Sequence, residues 1–376
     1  MTVSCDFLII GAGVSGAAAA YELAEHGRVI VLEMESAPGY HSTGRSAALY
    51  TRNFGNRVVR ALNRASYRFF SAPPPGFGDQ PLLSPRGGLT IGSADDRDKM
   101  DELLSNGAQD NSIVEVTRDR ALELAPLLRP EAVAYATYEH GILDMDVAAI
   151  HQGFLKGLAA RGGRVICNSP ATALERRGGD WFATTPGETF SAPVIVNAAG
   201  AWADGIAELA GITPIGLVPK RRTAIIVDLP EGRDGRGWPL VDQAGYGCYC
   251  RPEAGRLMAS PADETPVEPC DVQPEDLDVA IIADWLERVF QMSVRRIVRK
   301  WAGLRNFVHD QSPVAGFDED TDGFFWLCGQ GGYGIMLSPT LGRTAASLIS
   351  KGVLPSDVRE AGISMGDISP RRLRPA

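Results

Sequence analysis

Three glycines, Gly11, Gly13 and Gly16, stand in G-x-G-x-x-G spacing between an apolar run at 7–10 and an alanine-rich segment, and Glu33 follows twenty residues beyond Gly13. Each part has a task in holding a dinucleotide. Gly11 makes the tight turn, Gly13 lets the backbone approach a pyrophosphate, and Gly16 lets helix and strand pack closely. The helix opens at Val14 and Ser15, where free N–H groups face the phosphates, and Glu33 accepts from a ribose hydroxyl at the end of a second buried strand, 28–32. A glycine triplet alone is weak evidence, because such turns are common between strand and helix. Here strand, helix, second strand and terminal acid agree, so 6–33 reads as a dinucleotide-binding unit.

The stretch that follows, PGYHSTGRSAA at 38–48, is rich in donors: Ser42, Thr43, Arg45 and Ser46. It suits a cofactor longer than NAD, threaded further along the chain, although a solvated surface loop is the plainer reading of this stretch in isolation. A third apolar strand, 193–197, ends in Ala198, Ala199, Gly200, Ala201 and Trp202, as close approach to a cofactor or ordinary sheet packing both require. A second glycine-rich turn, GQGGYG at 329–334, joins a buried strand at 324–328 to a helix expected over 339–351. Two such turns at opposite ends of the chain suggest one cofactor held from both. On its residues alone, Arg222 reads as a surface member of Lys220-Arg221-Arg222, and Arg305 as half of a structural ion pair.

The elements that must position these residues follow from pattern. A chain of 376 residues is long for one core and favours two lobes. Helices are expected at 57–70, at 146–161 with an Asp146 cap, and at 274–290, where Leu277, Ile281, Trp285 and Val289 form a core stripe. Surface helices are expected at 95–104 and 117–124. A strand, turn and strand are expected over 82–91 and a β-meander over 174–190, and 222–227, 247–251 and 256–259 alternate like strands. With no repeat and no flexible linker, the second lobe is inserted rather than appended. The net charge of −9 leaves no basic surplus for nucleic acid. No apolar run approaches the ~20 residues of a membrane span, and no basic n-region announces a signal peptide. The six cysteines include no C-x-x-C pair and the five histidines are dispersed, so no metal site is expected, and reduced thiols fit a cytoplasmic protein.

The glycine motif with its glutamate, YHSTGRSAA, VNAAGAW, WAGLR and GQGGYGI together resemble the D-amino acid oxidase family of FAD-dependent oxidoreductases, which also includes glycine and sarcosine oxidases. Within it the D-arginine dehydrogenase branch is similar end to end, down to PKRRTA and SPRRLRPA. The resemblance implies an α/β fold in which a Rossmann-like FAD-binding domain (1–80, 140–215 and 300–376) carries an inserted antiparallel-β substrate domain (81–139 and 216–299). It implies non-covalent FAD contacts from Gly11, Gly13, Val14, Ser15, Gly16, Glu33, Ser42, Thr43, Arg45 and Ser46. Further contacts are implied from Ala199, Gly200, Trp202, Gly303, Arg305, Gly331, Gly332, Tyr333, Gly334 and Ile335. Non-covalent binding is expected because 305–326 holds no cysteine and Cys328 reads as a core thiol.

By the same resemblance, Arg222, Arg305 and Tyr249 hold the substrate carboxylate, with Gly332 in the catalytic set, and Leu49, Thr51, Phe54, Gly88 and Met336 line the rest of the pocket. Four of these depart from the branch pattern: Gly88 replaces a glutamate, Leu49 a histidine, Phe54 a tyrosine and Met336 a glutamine. The implied reaction is oxidative deamination of a D-amino acid, with hydride passing from Cα to flavin N5 and onward to an unidentified acceptor, a quinone or another. Neutral, apolar side chains are expected over D-arginine, unless Asp242 or Glu253 reaches the pocket from the lid side. The alternatives are a glycine- or sarcosine-type or other secondary-amine oxidase, and a non-catalytic flavoprotein subunit.

Overall fold

In the computed structural model, which describes residues 2–107 and 112–374, the apolar runs assemble into a parallel sheet. The strand order is Arg164–Ile166, Val29–Leu32, Phe7–Ile10, Val194–Asn197, Phe324–Cys328 and Val314–Phe317, with only the last pairing antiparallel. The inner strands are buried nearly throughout, because packed elements cover both faces, which is why they read as continuous apolar runs. The expected meander forms as Ala173–Arg177, Asp180–Thr184 and Thr189–Ala192, and Thr2–Ser4 pairs parallel along its edge.

Helix Val14–Leu23 packs on helix Gly334–Lys351, so the two glycine-rich turns meet in space. The alanines of the first helix permit this approach. A methyl group at Gly342 would fall 2.8 Å from the backbone of Ala18. The second helix begins five residues before the expected Pro339, which lies inside it. Proline has no N–H for the carbonyl four residues back. Ser338 Oγ donates to that carbonyl, Ile335 O, at 2.9 Å, and the helix continues.

The second sheet has eight strands in the order Ile297–Phe307, Val218–Val227, Arg256–Ser260, Tyr249–Glu253, Leu240–Gln243, Gly88–Gly92, Tyr135–Glu139 and Ile113–Glu115. All neighbours are antiparallel except Leu240–Gln243 with Gly88–Gly92. Three expectations change here. The stretch 82–91 is not a hairpin: Leu83–Pro85 pairs with Leu143–Met145 in a separate small sheet, and Gly88–Gly92 enters the large one. Helix Asp276–Val289 buries Trp285 and Val289 as expected, but Leu277 and Ile281 are exposed and Ile282 and Leu286 complete the core stripe in their place. The expected boundary at 300 falls inside strand Ile297–Phe307, a continuous member of the large sheet.

Candidate functional site

A cleft of about 390 Å³ opens at the carboxyl ends of the parallel strands, lined by Ile10, Leu32, Ala198 and the loops that follow them. That is where an open α/β sheet places its ligands. From the expected cofactor set the cleft gathers Gly11, Gly13, Val14, Ser15, Glu33, Ser42, Thr43, Ala199, Gly200, Trp202, Gly331 and Gly334. Gly11 has φ +102°, a conformation open to glycine, and a methyl there would lie 2.6 Å from Ala198 O. Gly16 lies behind the cleft. A methyl on it would sit 1.9 Å from Gly11 O, so its task is the helix–strand packing expected of the third glycine.

The cleft is braced by its own polar residues. Glu33 is buried; its Oε2 accepts from Ala12 N at 2.9 Å and its Oε1 from Glu35 N at 3.0 Å. Each oxygen keeps a lone pair for a ligand hydroxyl. Thr43 Oγ1 accepts from Val14 N at 3.0 Å and Ser42 Oγ donates to Leu304 O at 2.7 Å, so the loop at 38–48 ties helix to second sheet. Arg45 does not face the cleft. It ion-pairs with Asp271 and donates to Val272 O at 3.0 Å and Ala302 O at 3.1 Å, a structural clasp. Ser46 is exposed.

Three buried polar atoms on cleft-lining residues have no hydrogen-bond partner among the described residues: His41 Nδ1, Asn306 Oδ1 and Gln330 Nε2. Orphaned donors and acceptors around a glycine-lined space fit a polar ligand with several hydrogen-bonding groups. None of the three was singled out by sequence reasoning. Asn306 and Gln330 adjoin residues that were, and His41 sits within the donor-rich loop.

The second half of the site lies on one face of the eight-stranded sheet. Arg222 pairs with Gly303, Tyr249 with Ser260 and Asp242, and Asp242 with Thr90. Because side chains alternate with period two, Arg305, Arg222, Tyr249, Asp242 and Thr90 share that face. Arg305 passes over Gly332, where a methyl would lie 2.9 Å from its Nη1, so glycine leaves the space the guanidinium occupies. It forms no ion pair among the described residues, and burial lowers its pKa, with Arg222 adding to the effect and Tyr249 and Glu264 opposing it. The structural ion-pair reading of Arg305 therefore does not hold. Arg222 is not a surface residue either: its side chain is 12% exposed, its Nε donates to Asp263 O at 2.9 Å and its Nη2 pairs with Glu264 at 3.0 Å. Arg221, on the opposite face, takes the structural role with Asp263, Glu275 and Asp278. Burial pushes the Tyr249 phenol up, but Arg305 and Arg222 outweigh it and hold the group below its ordinary value.

The expected pocket residues divide. Phe54 is half exposed and packs on Tyr333, ring centroids 5.4 Å apart, and Tyr333 senses the charge of Arg305. Thr51 Oγ1 donates to Glu139 at 2.9 Å. Met336 and Ile335 are buried in the last long helix, and Leu49 pairs with Asp144 in the small sheet. Gly88 lies opposite Glu139 in register, beneath the side chain of Ile142. Glu253 pairs with Arg251 at the far end of its strand.

A family model described as FAD dependent oxidoreductase matches residues 6–348. The chain belongs to the DAO family. Its cofactor is accordingly FAD, and the glycine-lined cleft with its orphaned polar atoms fits that group. Glycine oxidase of Geobacillus kaustophilus is 24% identical over 93% of this chain and 94% of its own length. Human mitochondrial sarcosine dehydrogenase is 24% identical over 93% of this chain, which spans 40% of that protein. Among solved structures, the same Geobacillus glycine oxidase superposes with a TM-score of 0.82 at 22% identity, covering 93% of this chain and 95% of that one. L-proline dehydrogenase from P. horikoshii gives 0.81 at 21% identity, covering 99% and 98%. These likenesses fix the fold, and the expected α/β class is what the structure contains, with a largely parallel sheet and a largely antiparallel one as its two main sheets.

Proposed function

We propose that this DAO-family protein oxidises a small amino acid at the carbon bearing nitrogen, the carboxylate being held by Arg305, Arg222 and Tyr249. The observation that carries this reading is Arg305: a half-buried guanidinium that forms no ion pair among the described residues and lies over Gly332 of the second glycine turn. Only the more distant charge of Glu264 and the Tyr249 phenol offset its desolvation, and a substrate carboxylate supplies the direct partner. When bound, FAD supplies the hydride acceptor. The protein's part is to fix the substrate against it and exclude water.

Arg305 and Arg222 approach from adjacent strands and bind the two carboxylate oxygens, and the Tyr249 phenol donates a further hydrogen bond. Phe54 and Tyr333 cover the clamp with apolar surface. The substrate amine must be neutral when its neighbouring hydrogen leaves with its electron pair, and the two guanidiniums favour loss of that proton. We assign FAD to the parallel-sheet lobe, bound without a covalent link, and the substrate to the face of the large sheet. Glycine oxidase and sarcosine dehydrogenase among the relatives support a glycine- or sarcosine-type substrate, with a primary or secondary amine, ahead of a dedicated D-amino acid deaminase. The unsatisfied Arg305 also speaks against a non-catalytic subunit.

The test is anaerobic bleaching of the flavin by glycine, sarcosine and matched D- and L-amino acids, followed by admission of air. Bleaching by glycine or sarcosine supports the reading, and bleaching by D-amino acids alone restores the deaminase. Rapid reoxidation in air marks an oxidase; slow reoxidation marks a dehydrogenase with another acceptor.

A further inference from the structure

Lys220 stands directly opposite Arg305 in register, and Arg222 follows two residues on, so three cations share the clamp end of one sheet face. Like charges directly opposite each other are destabilising. One carboxylate offsets two of the three. Glu264 Oε2 pairs with Lys220 Nζ and Glu264 Oε1 with Arg222 Nη2, both at 3.0 Å. Arg305 is the cation of this group left without an ion pair among the described residues, although the charge of Glu264 reaches both it and Tyr333.

Glu264 is fixed by its backbone. The loop that carries it runs along strand Val218–Val227, where Thr223 N donates to Asp263 Oδ1 at 2.6 Å, Arg221 N to Thr265 O at 2.8 Å and Val267 N to Pro219 O at 3.0 Å. Arg222 Nε closes the set by donating to Asp263 O at 2.9 Å. The residues on either side of Glu264 are therefore bonded to the strand that bears Arg222. Its carboxylate is 44% exposed against 12% for the Arg222 side chain, which puts it on the solvent side of the clamp.

We propose that Glu264 is a specificity-determining residue, filling the place where Lys220 and Arg222 would otherwise receive a second substrate carboxylate. The inference rests on the clamp reading and narrows it to substrates with a single carboxylate. That carboxylate reaches Arg305, for which the fold provides no ion pair. A second one finds Lys220 and Arg222 already joined through Glu264 and meets a like charge beside them. Glycine and N-alkyl glycines are accordingly accepted, and N-carboxyalkyl glycines are excluded.

Two unreactive ethers test this. Methoxyacetate has the shape of an N-methyl glycine with oxygen in place of the amine, and diglycolate adds a second carboxylate at its far end. Binding to the FAD-loaded protein is read from perturbation of the flavin spectrum and from thermal shift, with no turnover required. Like charges brought together suppress the wrong ligand, so methoxyacetate should bind at least about 10-fold tighter than diglycolate, falling below about 3-fold in Glu264→Gln. A glutamate that only held Arg222 in place would, on replacement, weaken both probes alike and leave the ratio unchanged. Arg305→Met should weaken both probes. If the ratio persists in Glu264→Gln, or diglycolate binds the unmodified protein as tightly as methoxyacetate, or neither binds, the inference is overturned. The clamp reading survives that outcome wherever Arg305→Met still weakens a probe. If the ratio collapses as expected while Arg305→Met leaves both probes unchanged, Glu264 stands and the clamp reading fails.

Discussion

Arg305 is the residue whose surroundings say most about use. Arg305→Met should raise KM strongly while FAD stays bound, because losing one half of a desolvated charge pair costs about 2–5 kcal/mol, roughly 30- to 4000-fold in affinity. Tyr249→Phe removes one hydrogen bond and should cost about 1–2 kcal/mol. Near-normal kcat/KM in the arginine variant would move the carboxylate elsewhere. Arg222→Met is a less clean probe, since it also frees Asp263 O and Glu264. Asp242 yields a separate prediction. Burial is the main reason its pKa rises from 3.8 to about 6; Thr90 opposes the shift and Glu139 adds to it. Between those values the folded state binds more protons than the unfolded state. The stability Asp242 contributes is thus complete below pH 3.8 and lost as pH rises through 6. Asp242→Asn should therefore gain stability on its parent between pH 4 and pH 8, on the order of 3 kcal/mol at most. Parallel denaturant melts at the two pH values measure it, and an equal effect at both refutes it.

At the scale of elements, the sequence was most legible where one rule acted alone. Buried parallel strands such as Phe324–Cys328 read correctly from apolar runs, and Asp146 does cap its helix, accepting from Ala149 N at 2.8 Å. It was least legible where distant chain decides. Leu83–Pro85 and Gly88–Gly92 look like a hairpin, yet each finds its partners more than forty residues away, which turn chemistry cannot announce. Pro339 suggested a helix start because its break is mended by Ser338, a local bond that propensity rules do not count. The clamp was half legible: the family resemblance made Arg222, Arg305 and Tyr249 candidates, but only the register set Tyr249 and Asp242 beside each other. Gly342 shows how tightly the two glycine-turn helices are bound to each other. Gly342→Ala should destabilise the protein by about 1–3 kcal/mol, because the added methyl meets the backbone of Ala18, which cannot swing aside as a side chain can. An unchanged melting temperature would show that the two helices can separate at little cost.

At the scale of the whole molecule, the cofactor cleft is where the two sheets are joined. Ser42 bonds to Leu304 O in the large sheet while its neighbour Thr43 caps the helix of the parallel lobe, and Arg45 clasps Asp271 beyond them. A ligand bound among these loops should stabilise both lobes together, by RT ln(1 + [FAD]/Kd), about 2.7 kcal/mol at a hundredfold excess over Kd. Whether that linkage is reversible depends on what could bond to the flavin covalently. Cys328 is completely buried within the core behind the second glycine turn, and burial pushes its thiol far above the reactive range. No cysteine appears among the described residues lining the cleft. Of the other nucleophiles there, Tyr40 donates its phenol to Asp271 at 3.3 Å, and His41 has its Nε2 engaged by Glu35 at 2.9 Å and its Nδ1 without a partner among the described residues. The imidazole is thus oriented by a carboxylate and packed at a tilt against Trp202, centroids 4.6 Å apart, as a group that positions a ligand rather than one placed for attack. Acid precipitation should accordingly leave a yellow supernatant and a colourless pellet. A yellow pellet that turns colourless in His41→Ala would identify that imidazole as the point of attachment and overturn the non-covalent reading.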